Sequence, residues 1–247
     1  GNFGIVTSFE YQLHAMQPTV LAGTVRYPFD KAKEALRLYD DFAATIPDEM
    51  NTISSLSIQE SQPVMDVLVC YSGPFEDGER ALKPIREFGP PILDDVRLRP
   101  YLEVQRMLDE ATLPGRQYYI KSVFMSELTN EAIDTIISHF SKVASPLSLV
   151  SFQQVGPAAN RVDPDENAFA HRDARYEMVN FGAWEDPGEF EIHVQWVREL
   201  AEKMQPFSTG GVYVNQVGWD AEEGEDQIMA AYGRHYDRLA ALKEKYD

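Results

Sequence analysis

Histidine, cysteine and acidic side chains are the residue types in this sequence that could hold a metal ion or move a proton. The five histidines stand at positions 14, 139, 171, 193 and 235, and none lies at ligand spacing from another or from Cys70. The carboxylates near them form no calcium-binding loop pattern. The sequence therefore predicts no metal site.

The single cysteine, Cys70, is a second candidate for chemistry. It ends the run Val-Met-Asp-Val-Leu-Val-Cys, which is typical of an apolar strand and not of an activated thiol. One cysteine also excludes an internal disulfide. The sequence contains no Gly-x-x-x-x-Gly-Lys loop, no Gly-x-Gly-x-x-Gly turn and no Gly-x-Ser-x-Gly elbow, so the usual nucleotide-binding and serine-nucleophile motifs are absent.

Composition and charge limit the classes of partner. The chain has 22 Lys and Arg against 40 Asp and Glu, a formal net charge of −18, and 44% of its residues are hydrophobic. An acidic surface repels a phosphate backbone, so nucleic acid is not expected as a partner. The apolar runs are far shorter than the roughly 20 residues that span a bilayer. We expect a soluble globular protein, with the cytoplasm as the favoured compartment although composition does not decide it.

The elements that must position any site alternate between strand pairs and single helices. Runs rich in β-branched and aromatic residues predict strands at 4–14, 20–27, 50–59, 64–72, 117–124, 147–155 and 175–184. Apolar residues at three- and four-residue spacing predict helices at 30–46, 76–87, 130–140 and 187–204 and at the C-terminus. This order predicts an α+β fold with a large, mostly antiparallel sheet that helices cover on one face.

Three residues are predicted to cap helices: Asp30, Thr129 and Asp186. Residues 92–120 give an irregular signal, and 156–175 form a polar loop long enough to be functional or mobile. The short apolar segment 212–215 is predicted to be extended.

Five short motifs occur in a fixed order along the chain. They are Gly1-Asn2-Phe3-Gly4-Ile5-Val6, Tyr118-Tyr119-Ile-Lys121-Ser122, Ala168-Phe-Ala-His171-Arg172, Pro206-Phe-Ser-Thr-Gly-Gly-Val-Tyr213-Val-Asn215, and Ala231-Tyr-Gly233 with the C-terminal Lys245-Tyr-Asp247. Each motif alone is weak, but the order and the gaps make the set specific. Together the motifs resemble the berberine bridge enzyme-like flavoproteins of the vanillyl-alcohol oxidase and para-cresol methylhydroxylase superfamily, over essentially the whole chain.

The resemblance implies a domain organisation. Residues 1–10 would be the tail end of an FAD-binding domain that is otherwise missing, 11–206 a substrate-binding α+β domain, and 207–247 a return segment towards the FAD domain. The implied partners are a small-molecule substrate and the missing FAD-binding domain, and a second copy of the chain is a further candidate. The implied cofactor is FAD, and the chain alone is expected to be inactive.

The resemblance also implies roles for individual residues. Tyr213 would be the base, and Lys121 would favour its ionised form, because a neutral phenol is a poor base at neutral pH. Asn215 would hydrogen-bond the flavin or orient Tyr213. The opening residues Gly1, Asn2, Phe3, Gly4, Ile5 and Val6 would approach the flavin, where glycine allows close contact of the backbone.

Four further residues are predicted to bind substrate: Tyr119, Gln153, His171 and Arg172. Each has an ordinary structural explanation that stays open. Gln153 could be a polar residue on an outward face, and His171 could be structural. Arg172 could pair with Asp173. In the same way, Tyr213 could be a core aromatic and Lys121 a solvated edge residue.

The implied function is an FAD-dependent oxidoreductase that oxidises a hydroxyl group, or less readily an amine, by hydride transfer to the flavin. Val179 stands in a region where some relatives place a polar catalytic side chain, so the substrate class stays open. The alternative from another class is a non-catalytic α+β binding or dimerisation module without flavin.

Overall fold

The architecture of the chain is given by a computed structural model that describes residues 3–13, 15–217 and 224–246. The strands are β1 (Thr19–Pro28), β2 (Met50–Gln59), β3 (Gln62–Tyr71), β4 (Leu93–Asp94), β5 (Arg97–Pro100), β6 (Gln117–Met125), β7 (Leu149–Gln154) and β8 (Tyr176–Trp184). The α-helices are α1 (Ala32–Ala43), α2 (Phe75–Glu87), α3 (Tyr101–Arg106), α4 (Asn130–Phe140), α5 (Pro157–Asn160), α6 (Phe190–Met204), α7 (Gly224–Tyr232) and α8 (Tyr236–Tyr246).

The eight strands form one sheet in the order β4-β1-β3-β2-β7-β8-β6, with β5 also paired to β1. Every pairing is antiparallel. The connection between β2 and β3 is a two-residue turn in which Glu60 and Ser61 have φ angles of 49° and 64°, the left-handed conformation that suits a tight hairpin. The predicted α+β fold with a mostly antiparallel sheet is confirmed.

Helices α1, α2, α4 and α6 cover one face of the sheet. The apolar stripe of each helix is buried, as helical spacing requires: Leu36 on α1, Leu82 on α2, Ile133 on α4 and Val197 on α6 are each 0% exposed. These side chains belong to one continuous core with the inward residues of the central strands. Burial of this apolar area is the main source of stability for the fold.

Asp40 joins the helix layer to the sheet. Its buried carboxylate accepts hydrogen bonds from the backbone N–H of Leu128 at 3.1 Å, from the hydroxyl of Tyr176 at 3.0 Å and from the guanidinium of Arg175 at 3.1 Å. A buried carboxylate needs such partners because leaving water without them is costly. Asp40 therefore ties α1 to β8 and to the segment before α4.

Two of the three predicted helix caps are confirmed. Thr129 accepts a hydrogen bond from the N–H of Ala132 at 3.1 Å, and Asp186 accepts one from the N–H of Gly188 at 2.8 Å. The prediction for Asp30 is wrong. It lies inside a 3-10 turn, Phe29–Lys31, whose tighter backbone bonds lead into α1 without a side-chain cap.

The predicted strand at 4–14 is also wrong. Residues 3–13 contain no strand, and large side chains there are exposed, with Ile5 at 94% and Phe9 at 70%. Their high β-propensity describes residues that fit a half-buried sheet surface, and here no described strand pairs with them. Residues 92–120 are more ordered than expected, because they contain β4, β5 and α3.

The segment 212–215 is not extended throughout, because a 3-10 turn covers Val214–Gln216. The preceding residues run along the edge strand β6 for a short distance. The N–H of Thr209 donates to the carbonyl of Phe124 at 2.8 Å, and the N–H of Phe124 donates to the carbonyl of Gly211 at 3.4 Å. The pairing ends there, and the chain turns away from the sheet.

Candidate functional site

The face of the sheet opposite the helix layer carries a cavity of about 450 Å³. Its floor is formed by outward residues of five strands, β1, β2, β3, β7 and β8, and its roof by the segment that follows α3. The floor includes Arg26, Asp66, Ser55, Ser151, Gln153, Val179 and Phe181, and the roof includes Met107, Leu108, Ala111 and Thr112. We call this side of the sheet the open face.

One charged pair lies in the cavity floor. The guanidinium of Arg26 donates to both carboxylate oxygens of Asp66, at 2.7 and 3.0 Å. The hydrogen bonds to this carboxylate raise the pKa of Arg26 above its ordinary value, although burial opposes the rise. Such a two-point pair is strong and geometrically defined. The charges of the two side chains therefore cancel, and neither is left over for a ligand.

A row of side chains crosses the open face beside this pair. The strand registers place Gln153 of β7 opposite Glu177 of β8, and Glu177 opposite Phe124 of β6. Gln153 is exposed and lines the cavity, whereas Glu177 is only 8% exposed. Strands lie about 4.8 Å apart, so the backbones of Gln153 and Phe124 are about 10 Å apart. Glu177 thus lies between the cavity and the edge strand.

Glu177 is an ionisable side chain in an unusual environment. Burial raises its pKa above the ordinary value, and the neighbouring Ser122 hydroxyl offsets only part of the rise. Its Oε1 atom is fully buried and has no hydrogen-bond partner among the described residues. The carboxyl group therefore favours the protonated state more than an exposed glutamate does.

Tyr213 and Asn215 lie at the β6 edge of the open face. The side-chain amide of Asn215 donates to the hydroxyl of Tyr213 at 2.9 Å. The Tyr213 ring packs edge-on against Phe124, with 6.5 Å between the ring centroids. Asn215 was expected to hydrogen-bond the flavin or orient Tyr213; its hydrogen bond to Tyr213 forms across a 3-10 turn.

His171 packs against β6, α7 and the segment that precedes Tyr213. Its ring stacks on Phe124 with 4.6 Å between centroids, and its Nε2 is 3.0 Å from the carbonyl oxygen of Ala231 in α7. A Cβ atom on Gly211 would collide with the imidazole, so only glycine fits there. The structure thus places His171 in packing that supports the Tyr213 segment, and its predicted contact with substrate stays a prediction.

Arg172 is used inside the loop between β7 and β8. It donates to the carbonyl of Ala159 and to the amide oxygen of Asn167, each at 2.7 Å, and its guanidinium lies 4.7 Å from the centroid of the Phe169 ring. The expected pairing with Asp173 is wrong, since neutral oxygens accept these bonds. A substrate-binding role for Arg172 stays a prediction.

Tyr119 and Lys121 leave β6 on the face that the helices cover. The hydroxyl of Tyr119 accepts a hydrogen bond from Arg198 of α6 at 3.0 Å, and the Lys121 ammonium lies 5.5 Å from the centroid of the Tyr119 ring. Phe124, which contacts Tyr213, leaves the strand on the other face, as side-chain alternation requires. This placement does not support Lys121 as the cation beside Tyr213.

The opening motif is described only in part. Gly1 and Asn2 lie outside the described residues. Phe3 and Gly4 have φ angles of 68° and 110°, a left-handed turn, and Ile5 and Val6 are exposed. Contact of this segment with a cofactor stays a prediction.

Sequence reasoning missed three parts of the site. They are Glu177, the Arg26–Asp66 pair, and the roof formed by residues 107–112. One signal for Glu177 was available: it is the acidic residue in the mainly apolar stretch 176–184, where a buried charge is unusual. The sequence of residues 107–112 contains no comparable signal. These residues lie over the cavity only because the chain after α3 crosses the open face.

Other chemistry is limited in the part of the chain that the structure describes. No cluster of three or more His, Cys, Asp or Glu residues able to hold a metal ion occurs within 3–13, 15–217 and 224–246. Burial raises the pKa of the Cys70 thiol, as expected for an inert cysteine. No helix within the described ranges is both long and apolar enough to span a membrane.

The fold and site define an α+β domain with one helix-covered face and one face that carries a cavity. Its sequence is 27% identical over 250 residues to an FAD-linked oxidoreductase of Dictyostelium discoideum, covering 100% of this chain and 53% of the relative. It is 30% identical over 150 residues to tetrahydroberberine oxidase of Berberis wilsoniae, covering 54% of this chain and 28% of that protein. No protein-family model matches the chain.

The fold is shared with the solved structure of the berberine bridge enzyme-like protein 28 of Arabidopsis thaliana. The TM-score is 0.79 at 18% identity, over 93% of this chain and 54% of that one. The resemblance that the motifs carry is confirmed: the chain is similar in sequence to proteins named as FAD-linked oxidoreductases, and it shares its fold with a berberine bridge enzyme-like protein. It spans about half the length of the relatives that it matches from end to end.

Proposed function

We propose that this chain is the substrate-binding part of an FAD-dependent oxidoreductase that oxidises a hydroxyl group, or less readily an amine. The observation that carries the proposal is the cavity on the open face, which lies on the same side of the sheet as the Tyr213–Asn215 pair. The relatives that are named as FAD-linked oxidoreductases support it. The sheet would form one wall of the active site.

The residues present fit one side of a flavin site. The open face combines apolar surface with polar side chains, and it contains a buried carboxyl oxygen to which no described residue donates, as a wall facing a ligand would. The phosphate-binding motifs that hold a nucleotide are absent from the sequence, so most contacts to FAD would come from the missing domain. A bound FAD would supply the hydride acceptor, which protein side chains lack.

Tyr213 is the candidate base in this proposal. Its hydroxyl is oriented by the hydrogen bond from Asn215, and its ring is fixed by Phe124. A positioned base that removes the hydroxyl proton while the carbon is oxidised would accelerate the reaction about 10²- to 10⁴-fold. The role of Lys121 as the cation beside Tyr213 is the weaker part of the proposal, because the Lys121 side chain lies on the helix-covered face of β6 and Tyr213 packs on the open face.

The domain organisation is part of the same proposal. Residues 1–10 would connect to the FAD-binding domain, 11–206 would form the substrate-binding domain, and 207–247 would return towards the flavin. Exposed apolar side chains in the first segment, such as Ile5 and Phe9, support contact with a further domain.

The experiment is to express the chain together with the coding sequence that adjoins it in its gene, and to measure bound flavin by its visible absorbance. We expect stoichiometric FAD and anaerobic bleaching by at least one member of a panel of alcohols and amines. A folded product without flavin would contradict the proposal and would favour the non-catalytic binding or dimerisation module. Size-exclusion chromatography of the same sample would then show whether it forms dimers.

A further inference from the structure

The open face contains one ionisable group that neither the fold nor the proposed base explains. Glu177 is 8% exposed, and its Oε1 atom lies buried without a hydrogen-bond partner among the described residues. Burying a carboxyl oxygen away from water without a hydrogen-bond partner is unfavourable. Buried polar groups in folded proteins are normally hydrogen-bonded, so this carboxyl oxygen indicates a partner that the described residues do not supply.

The position of Glu177 indicates where that partner binds. On one side its cross-strand neighbour is Gln153, which is exposed and lines the cavity. On the other side its neighbour is Phe124, against which Tyr213 packs. A ligand in the cavity that displaces the Gln153 side chain would therefore reach Glu177 on the same side of the sheet as Tyr213.

The charges around the cavity define the chemistry of the ligand. The Arg26 guanidinium is bound at two points by Asp66, so this cation is neutralised within the floor. Burial and the Ser122 hydroxyl are the two causes of the shifted Glu177 pKa, and no charged neighbour contributes to it. The Oε1 atom thus lacks a hydrogen-bond donor among the described residues, and an N–H or O–H group on the ligand would provide one.

We propose that Glu177 is a ligand-binding residue whose carboxyl group accepts a hydrogen bond from the hydroxyl or amine group of a molecule in the open-face cavity. The proposal deepens the proposed function and rests on it only for the statement that this molecule is the substrate. It assigns substrate recognition to β8, next to Gln153, instead of to the loop residues His171 and Arg172.

The test uses the chain labelled with ¹³C at the glutamate side-chain carboxyl carbons and at the Val and Leu methyl groups. Benzyl alcohol, benzylamine and toluene are titrated separately, and the Glu177 resonance is identified by its absence in Glu177→Gln. We expect the alcohol or the amine to shift this resonance, and toluene to leave it unchanged while shifting methyl resonances of Val179 and Leu108 in the cavity. The alcohol and amine titrations distinguish a neutral donor from a cationic one.

The affinity of the effective probe should fall by about tenfold in Glu177→Gln, the size expected for loss of a hydrogen bond to a charged group. If Glu177→Gln does not fold, Ser122→Ala identifies the resonance instead, because removing the hydroxyl should move the carboxyl pKa further upward. A Glu177 resonance that no probe shifts overturns the proposal, whether or not the cavity methyl groups respond. Flavin is not required, so this result and the flavin-loading result can fail independently.

Discussion

Two adjacent glutamines on β7 show how differently the two faces of the sheet are built. Gln154 points into the helix-covered face, where it donates to the carbonyl of Ala43 and accepts from the hydroxyl of Thr52, each at 3.0 Å. Gln153 points to the open face, where it is exposed and lines the cavity. On the helix-covered face this polar side chain fixes the fold, whereas on the open face its neighbour is exposed at the cavity.

The comparison also holds for the carboxyl groups. Asp40 on the helix side accepts three hydrogen bonds, whereas Oε1 of Glu177 on the open side has no partner within the described residues. On the helix side Ser54 Oγ and Asn180 Oδ1 also have no partner in that part of the chain, but these side chains are not ionisable. The unsatisfied ionisable group of this comparison therefore lies on the open face, and such groups are often found at functional sites.

The largest expected effect comes from breaking the helix face. Asp40→Ala should lower the free energy of unfolding by about 3–5 kcal/mol, because it leaves Arg175, Tyr176 and the Leu128 N–H without their shared acceptor. Urea unfolding followed by circular dichroism measures the change. Asp41→Ala removes the exposed neighbouring carboxylate and should change stability by less than about 0.5 kcal/mol. Equal effects of the two substitutions would refute the role given to Asp40.

A smaller effect is expected where the open face meets the Tyr213 segment. Gly211→Ala should destabilise the protein by about 1–3 kcal/mol, because the new methyl group overlaps the His171 ring. In a His171→Ala background the same substitution should cost much less. A double-mutant cycle by thermal unfolding measures this coupling, and additive effects would show that the two residues do not touch.

Removing the unsatisfied carboxyl group should stabilise the protein. A carboxyl whose pKa rises on folding favours the folded state while protonated, and this contribution is lost as the pH rises through the raised pKa. Glu177→Met should therefore add about 1–2 kcal/mol at pH 8, and the gain should shrink as the pH falls towards about 4. Melting temperatures across this pH range test it, and a pH-independent difference would contradict the assignment.

The smallest expected change in stability comes from Gln153, and comparing it with Gln154 tests the difference between the two faces of the sheet. Gln153→Ala should change the free energy of unfolding by less than about 0.5 kcal/mol, because the side chain is exposed. The matched variant Gln154→Ala should cost about 1–3 kcal/mol, since it leaves buried partners unsatisfied. Parallel denaturation curves compare them directly. Similar losses for both variants would mean that the two faces are not built differently.

Much of the fold was predictable because local patterns decide it. The three- and four-residue spacing around Leu36 predicts α1, and the apolar run that ends at Cys70 predicts β3. The order in which strands pair in the sheet is harder to predict from sequence, because it depends on contacts between distant segments. The exposed 3–13 segment has the composition of a strand but meets no described partner, so the prediction from propensity failed there.

The candidate site was predictable only where a motif carries it. The contact of Tyr213 with Asn215 followed from the Tyr-x-Asn spacing, although a turn forms it. Lys121 was predicted to lie beside Tyr213 because both residues belong to the motif set. The order of motifs along the chain does not tell on which face of the sheet a side chain lies. Glu177 was missed because its burial arises from three strands that come together from distant parts of the sequence.

We propose the open face as the substrate wall of a flavin enzyme with Tyr213 as its base. The most direct measurement is the rate of flavin reduction in a single turnover, in the flavin-loaded longer protein with its best alcohol or amine, for wild type and Tyr213→Phe. We predict that the substitution lowers this rate by about 10²- to 10⁴-fold and changes substrate affinity by much less. An unchanged reduction rate in a variant that still binds flavin and substrate would contradict it.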